Sequence, residues 1–444
     1  MERFICLLGI VAFIGLAWLV SSDRKRFPVR VVVGGLLLQF VLAFLVLRTD
    51  SGRSFFAWIG EAFTLVMGSV NAGSGFLFSS HLSESFSESI VATFAFGVLP
   101  TVIFFSSLMS ILYYIGVMQW VVYALAWVMQ FTLKTSGPET LAAAANVFVG
   151  HTEAPLVVRP YLRSMTRSEL NAMMTGGFAT VTGGLLGAYA GMGIDVAHLL
   201  TASVISAPAA LLIAKIMQPE AADAVVSTEL AFKPSEPSRN SEASGNSETS
   251  GDEQVQADEE FDSAHVNVVG AAVAGASDGL KLALNVGAML IAFLAILNLV
   301  DVLLAQLCFQ FDWTGLAGEP VLSLGIILGY ACWPIAWLLG IPATECMEAG
   351  RLIGLKTVAN EFIAYQSLGE MMKAEAPVIS NRTAVILTYA LAGFSNFGAI
   401  GIQVGGIGGL EPSRRKDLAQ LGLRAMFGGL LACCMTGAIA GLLL

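Results

Sequence analysis

Glu139-Thr140-Leu141-Ala142-Ala143-Ala144-Ala145-Asn146-Val147-Phe148-Val149 runs straight into Gly150-His151-Thr152-Glu153-Ala154-Pro155, and this junction decides the fold. The apolar run of 139–149 makes about 16 Å of helix, half a bilayer. A polar His-Thr-Glu turn and Pro155 interrupt it, and a second short apolar run ends at Arg159. Residues 345–357 and 361–372 repeat this plan around Asn360-Glu361. An ionised side chain at bilayer depth costs about 2.5–3.5 kcal/mol even on a lenient insertion scale, and it marks substrate or ion pathways. Half-length helices that meet at a polar break are what a re-entrant hairpin requires, with the break facing protein or a water-filled cavity.

The chain around these two segments has membrane composition. It is 56% hydrophobic and 13% charged, where soluble domains carry about 25% charged residues. The net charge of −10 is local: residues 220–262 hold twelve acidic residues against Lys233 and Arg239, and the rest is neutral. No basic surface for nucleic acid is present. Cys6, Cys308, Cys332, Cys346, Cys433 and Cys434 form no C-x-x-C and read as small buried hydrophobes.

Spanning segments fall near 3–20, 31–48, 88–114, 168–190, 195–217, 281–304, 383–407 and 420–443. The first is not a signal peptide, because its basic cluster, Arg24-Lys25-Arg26, follows the apolar run. Eight spans put both termini on one side. The positive-inside rule makes that side the outside. Arg24, Lys25, Arg26 and Arg30, then Lys134, Arg159, Arg163 and Arg167, then Arg414, Arg415 and Lys416, all fall inside, while Arg48, Arg53 and Arg382 fall outside. Residues 54–82, 118–133 and 266–280 read as interfacial helices, and 219–263 as a disordered acidic cytoplasmic linker. Hairpin 1 then enters from the cytoplasm and hairpin 2 from outside, each followed by two spans. This is an inverted repeat of the transporter kind.

The expected class is an all-α polytopic membrane protein with eight spans, two oppositely oriented re-entrant hairpins and interfacial helices. Residues 1–117 hold spans 1–3 and an interfacial helix. Residues 118–218 hold an interfacial helix, hairpin 1 and spans 4 and 5. Residues 219–263 are the linker, 264–306 an interfacial helix and span 6, and 307–444 hairpin 2 with spans 7 and 8.

Thr152 suits a helix N-cap ahead of Pro155. Glu153 and Glu361, when ionised, accept hydrogen bonds only and suit a ligand that offers N–H or O–H groups. Asn360 supplies donors and acceptors beside Glu361. Gly393-Phe394-Ser395-Asn396-Phe397-Gly398-Ala399 lies inside span 7 and predicts a weakened or unwound helix. There Asn396 pairs with hydroxyls and Phe394 offers a stacking face, although packing by small residues explains the pattern equally well. His151 and Glu153 make an H-x-E, but the P-C-x-x-C that a zinc deaminase needs is absent. Neither a phosphate loop nor a G-x-S-x-G elbow occurs. The chain reads as a transporter, not an enzyme, with no organic cofactor.

Gly150–Pro155, Asn360-Glu361-Phe362-Ile363-Ala364-Tyr365, Gly393–Phe397, and Ala274-Gly275-Ala276-Ser277 with Leu284-Asn285-Val286-Gly287-Ala288 closely resemble the signature segments of concentrative nucleoside transporters. The resemblance covers most of 88–444 outside the linker, and eight spans resemble the bacterial form. It implies a homotrimer in the cytoplasmic (inner) membrane. A scaffold of spans 1, 2, 3 and 6 would hold a transport domain of both hairpins and spans 4, 5, 7 and 8, moving as an elevator. It also implies that His151, Thr152 and Glu153 bind the nucleobase, that Glu361 and Asn396 bind ribose, and that Phe394 and Leu185 line the pocket. The coupling ion it implies is Na⁺, at Asn146, Val149, Thr180 and Val181. Proton coupling in the same fold is the alternative. Two positions depart from the family pattern: His151 stands where Gln is usual, and Ala399 where Ser is common. The expected consequences are an altered base preference, pH-sensitive uptake and relaxed sugar discrimination.

Overall fold

A computed structural model describes residues 2–78, 96, 99–151, 153–221, 267–311, 313, 322–374 and 377–444, and every described element is helical. The first five helices are α1 (Glu2–Leu19), α2 (Val29–Arg48), α3 (Asp50–Phe78), α4 (Leu99–Tyr114) and α5 (Val117–Leu133). Hairpin 1 is α6 (Gly137–Ala145) and α7 (Ala154–Val157), followed by α8 (Arg167–Ala179), α9 (Gly183–Gly191) and α10 (Val196–Met217). After α11 (Val268–Gln310) and α12 (Leu324–Leu338), hairpin 2 is α13 (Cys346–Val358) and α14 (Glu361–Lys373). The chain closes with α15 (Asn381–Leu391), α16 (Phe397–Leu410) and α17 (Arg415–Leu443). The sequence of α5 to α10 recurs in α12 to α17: a helix, two half-helices about a tip, a broken helix, a long helix.

Local sequence fixes these boundaries. Ser136 with Glu139, and Thr166 with Glu169, form capping boxes that start α6 and α8. Asn360 and Asn396 accept from the Ile363 and Ala399 amides and start α14 and α16. Span 7 is broken at Ala392–Asn396, as its glycines and Asn predict.

Four expectations are corrected. Span 4, read as one helix over 168–190, is broken at Thr180–Thr182, where three β-branched residues precede two glycines. The interfacial helix expected over 266–280 is the first part of α11, which runs unbroken for 43 residues from its Asn267 cap. Helix α12 had no counterpart in the reading, because 15 apolar residues are too few to span. Glu153, not Thr152, occupies the N-cap of α7. Thr152, His81, His265, linker residues 222–263 and most of 88–98 lie outside the described residues.

Among the described residues five helices, α1, α2, α10, α11 and the one containing α17, are long and apolar enough to cross a membrane, and α4 and α5 form a pair bent by 78°. The α5 helix, expected to be interfacial, exposes Phe131 together with Trp120 and Trp127, and tryptophan suits the membrane–water boundary.

The predicted inside residues are gathered at one end of the molecule. Ser22 N donates to Met217 O at 2.9 Å, Arg167 pairs with Asp417 at 3.2 Å, and Arg414 donates to the Leu162, Arg163 and Met165 carbonyls. At the other end Arg382 pairs with Glu2 at 3.2 Å and Arg3 donates to Leu444 O at 3.0 Å, so residues 2 and 444 share a side.

Two packing groups result. Helices α4 and α11 pack face to face, with Ser107 Oγ donating to Ala272 O at 2.8 Å and Gly275 and Gly279 admitting the α4 backbone. Helices α1 and α2 pack instead on α10 and α17, where Gln39 Nε2 donates to Thr436 Oγ1 at 3.1 Å inside the core.

Candidate functional site

The second break is the hub. Gly393 has φ 129°, and a Cβ there would lie 2.6 Å from Phe178 O, so α15 passes over the end of α8 with only a hydrogen between them. Cys433 Sγ lies beneath the crossing, 2.6 Å from Ala392 O and 3.6 Å from Ala179 O. The two broken helices therefore cross at their breaks.

Both hairpin tips reach this hub. From hairpin 1, the His151 ring packs against Phe394 with centroids 4.6 Å apart. From hairpin 2, buried Glu361 accepts from Asn396 Nδ2 at 3.2 Å and from Tyr189 OH at 3.1 Å. Glu361 begins α14, and its partner Asn396 caps α16, so two helix N-termini face one carboxylate. Free N–H groups and the positive dipole ends stabilise a negative charge there. A carboxylate has about four acceptor positions. Asn396 and Tyr189 occupy two, the Glu361 backbone amide reaches a third, and what remains suits a hydroxyl of a ligand.

Tyr189 escaped the sequence reading. It lies in α9, packed on Tyr365 and Phe362 at centroid distances of 4.8 and 5.5 Å. Leu185, buried one turn earlier on α9, shares its helix face. The one available signal was a lone tyrosine among the small residues of Gly183–Gly191.

Glu153 differs from Glu361. Its side chain is exposed in the single chain, with one long contact from Gly150 N at 3.4 Å. It faces α4 and α11, within electrostatic reach of Tyr113 and Asp278. Beside it both ring nitrogens of His151 are buried with no hydrogen-bond partner. This end of the site thus holds a free acceptor and an imidazole with unused polar edges.

Asn146, Val149, Thr180 and Val181 come together where the hairpin 1 tip meets the first break, and all four are buried. Gly183 N donates to Phe148 O at 3.0 Å, closing the tip onto the break. Asn146 Nδ2 reaches Met173 O at 3.5 Å, while Asn146 Oδ1 is buried without a partner. Thr180 Oγ1 donates to Gly176 O at 2.9 Å, which leaves its lone pairs as acceptors. An orphaned amide oxygen, a hydroxyl and the carbonyls of a helix C-terminus fit a hard monovalent cation. Among the described residues no three His, Cys, Asp or Glu side chains assemble as a metal site.

Two crossed broken helices, gripped by two hairpin tips with a buried carboxylate between them, define a helical membrane transporter of the hairpin type. The sequence models of the Na⁺-dependent nucleoside transporter N-terminus and C-terminus match residues 8–81 and 198–441, and one for nucleoside recognition, described as a gate, matches 95–195. The chain belongs to the Na⁺-dependent nucleoside transporter family. It is 39% identical over its whole length to solute carrier family 28 member 3 of Eptatretus stoutii and 40% identical to sodium/nucleoside cotransporter 1 of Rattus norvegicus, spanning 61% and 64% of those proteins. An uncharacterized transporter of Haemophilus influenzae is 40% identical, with 98% of this chain and 96% of that protein covered. A solved structure of CNTnw in an inward-facing substrate-bound state, 39% identical, superposes with TM-score 0.85 over 100% of this chain and 98% of that one. A variant of that protein in an outward-facing state gives the same score.

Proposed function

We propose that the chain is a secondary active symporter that imports nucleosides across the cytoplasmic membrane, driven by inward Na⁺ movement. One observation carries the reading: the four-residue stretch Gly393–Asn396 touches both hairpin tips, Phe394 meeting His151 and Asn396 meeting Glu361. A ligand seated there is held at both ends. Its base faces His151, Thr152 and Glu153, and its ribose hydroxyls face Glu361 and Asn396, with Phe394 and Leu185 lining the space between.

Sodium at Asn146, Val149, Thr180 and Val181 neutralises the acceptor-rich end of α8 and orders the hairpin 1 tip that presents Glu153. Substrate then binds the sodium-loaded state better, and linkage makes the effect reciprocal. Neutral oxygen ligands favour sodium over a proton at this place. The basic end gathered around Arg26, Arg167 and Arg414 is cytoplasmic, so both termini lie outside.

The protein acts as a homotrimer in the lipid bilayer by an elevator movement. Spans 1, 2, 3 and 6 form the static scaffold, against which both hairpins and spans 4, 5, 7 and 8 move; α1 and α2 pack on α10 and α17 across that boundary.

The test is uptake of labelled uridine by proteoliposomes, with and without sodium, with a panel of competing nucleosides. Accumulation that requires a sodium gradient is expected, and Glu153→Gln and Glu361→Gln should each abolish it while leaving the trimer intact. Accumulation driven by ΔpH without sodium would establish the proton-coupled alternative. Unchanged uptake by either variant would sink the site.

A further inference from the structure

Lys356 is wholly buried near the end of α13, in hairpin 2, and the site described above does not use it. Its Nζ donates to Ala390 O at 3.0 Å, at the C-terminal end of α15. A helix that stops in mid-membrane leaves up to four carbonyls without intrahelical donors and concentrates about half a negative charge there. At the second break this chain supplies the donors itself. Tyr365 OH serves Thr388 O at 2.7 Å, Lys356 serves Ala390 O, and Cys433 serves Ala392 O at 2.6 Å.

The first break is built differently. At the end of α8 the side-chain donors are all neutral: Thr180 Oγ1 to Gly176 O at 2.9 Å, and one turn earlier Asn146 to Met173 O at 3.5 Å and Gln403 to Met174 O at 3.3 Å. Asn146 Oδ1 adds an unpartnered acceptor to that end. Asn146 comes from the tip of hairpin 1, and Lys356 from the last turn of the first arm of hairpin 2. In the repeated order of elements each hairpin sends one side chain to the end of the broken helix that follows it. One end receives an amide with a spare acceptor, the other an ammonium group.

We propose that the Lys356 ammonium is a built-in cation, fastening hairpin 2 to the end of α15 as sodium fastens hairpin 1 to the end of α8. This rests on the sodium reading above. Its charge is matched by the carbonyl end of α15 and by Glu361, which lies within electrostatic reach. The consequence is an asymmetric site. Hairpin 2 keeps Glu361 in place whether or not sodium is bound, and only hairpin 1 answers to the ion.

Hydrogen exchange of the full-length protein in sodium and in choline buffer tests this. Sodium should slow exchange over 147–154 and leave 356–364 unaltered. Equal slowing of both segments overturns the proposal. In Lys356→Ser, which replaces the ammonium by an oxygen ligand, exchange over 356–364 should rise about tenfold in choline, a local opening, and sodium should slow it again. Wild-type protection of that segment in choline overturns the proposal, as does raised exchange that sodium leaves unaltered. Should Lys356→Ser fail to assemble, the wild-type comparison decides. Indifference of 147–154 to sodium would sink the sodium reading alone, and Lys356 is then judged by whether hairpin 2 opens in the variant.

Discussion

Asn396 holds Glu361 with one end of its amide and its own helix with the other. Nδ2 donates to the carboxylate at 3.2 Å, and Oδ1 accepts from Ala399 N at 2.9 Å. The hold on Glu361 and the cap of α16 therefore share one side chain. Asn396→Ser keeps a capping oxygen and removes the donor to Glu361. A hydrogen bond to a charged group contributes about 1.5–3 kcal/mol, so nucleoside affinity should fall about tenfold to a hundredfold. The melting temperature should stay within a few degrees of wild type. A binding isotherm beside a thermal melt separates the two, and a melt that collapses with affinity intact would assign Asn396 to capping alone.

Tyr189→Phe isolates the other donor to Glu361. The ring contacts with Tyr365 and Phe362 survive, while the 3.1 Å bond is lost. A buried carboxylate left with one side-chain donor is less well held, and the uridine KM should rise about tenfold or more. The KM from initial uptake rates reads this directly. An unaltered KM would show that the Tyr189 hydroxyl serves packing only.

How far such relationships are legible in the sequence depends on where the partner lies. Glu153, Glu361 and Gly393–Ala399 advertise themselves, because each is a polar or flexible interruption in membrane-grade sequence. Tyr189 does not, since its partner lies 172 positions away. Lys356 reads locally as an ordinary charge near the end of an amphipathic half-helix, and only the fold places it beneath Ala390. The first break was missed for another reason. Thr180-Val181-Thr182-Gly183-Gly184 carries the signal, but its residues are apolar enough that a hydropathy window passes over them. In α11 the opposite error arose: 266–280 is rich in Ala and Gly and suggested a boundary, yet those residues are the ones that let α11 approach α4.

Gly393→Ala tests the crossing of the two breaks. The native φ of 129° disfavours any L side chain, and the new methyl would meet Phe178 O at 2.6 Å. Such a backbone conformation costs of order 1–3 kcal/mol before any clash is counted. Uptake should be lost together with sodium-dependent stabilisation, since moving α15 also displaces the end of α8. A thermal melt with and without sodium checks it, and a variant that keeps the full sodium shift would mean that the two breaks are not coupled.

His151→Gln bears on which bases the site prefers. The imidazole lies against Phe394 with both nitrogens buried and unpartnered, so its hydrogen bonds remain available to a bound ligand. Neutral imidazole offers one donor and one acceptor, and the protonated ring offers two donors. Glutamine offers both kinds of group at any pH. The ranking of competing nucleosides should therefore change on substitution. Competition curves against labelled uridine make the measurement, and an identical ranking in the two proteins would remove His151 from base recognition.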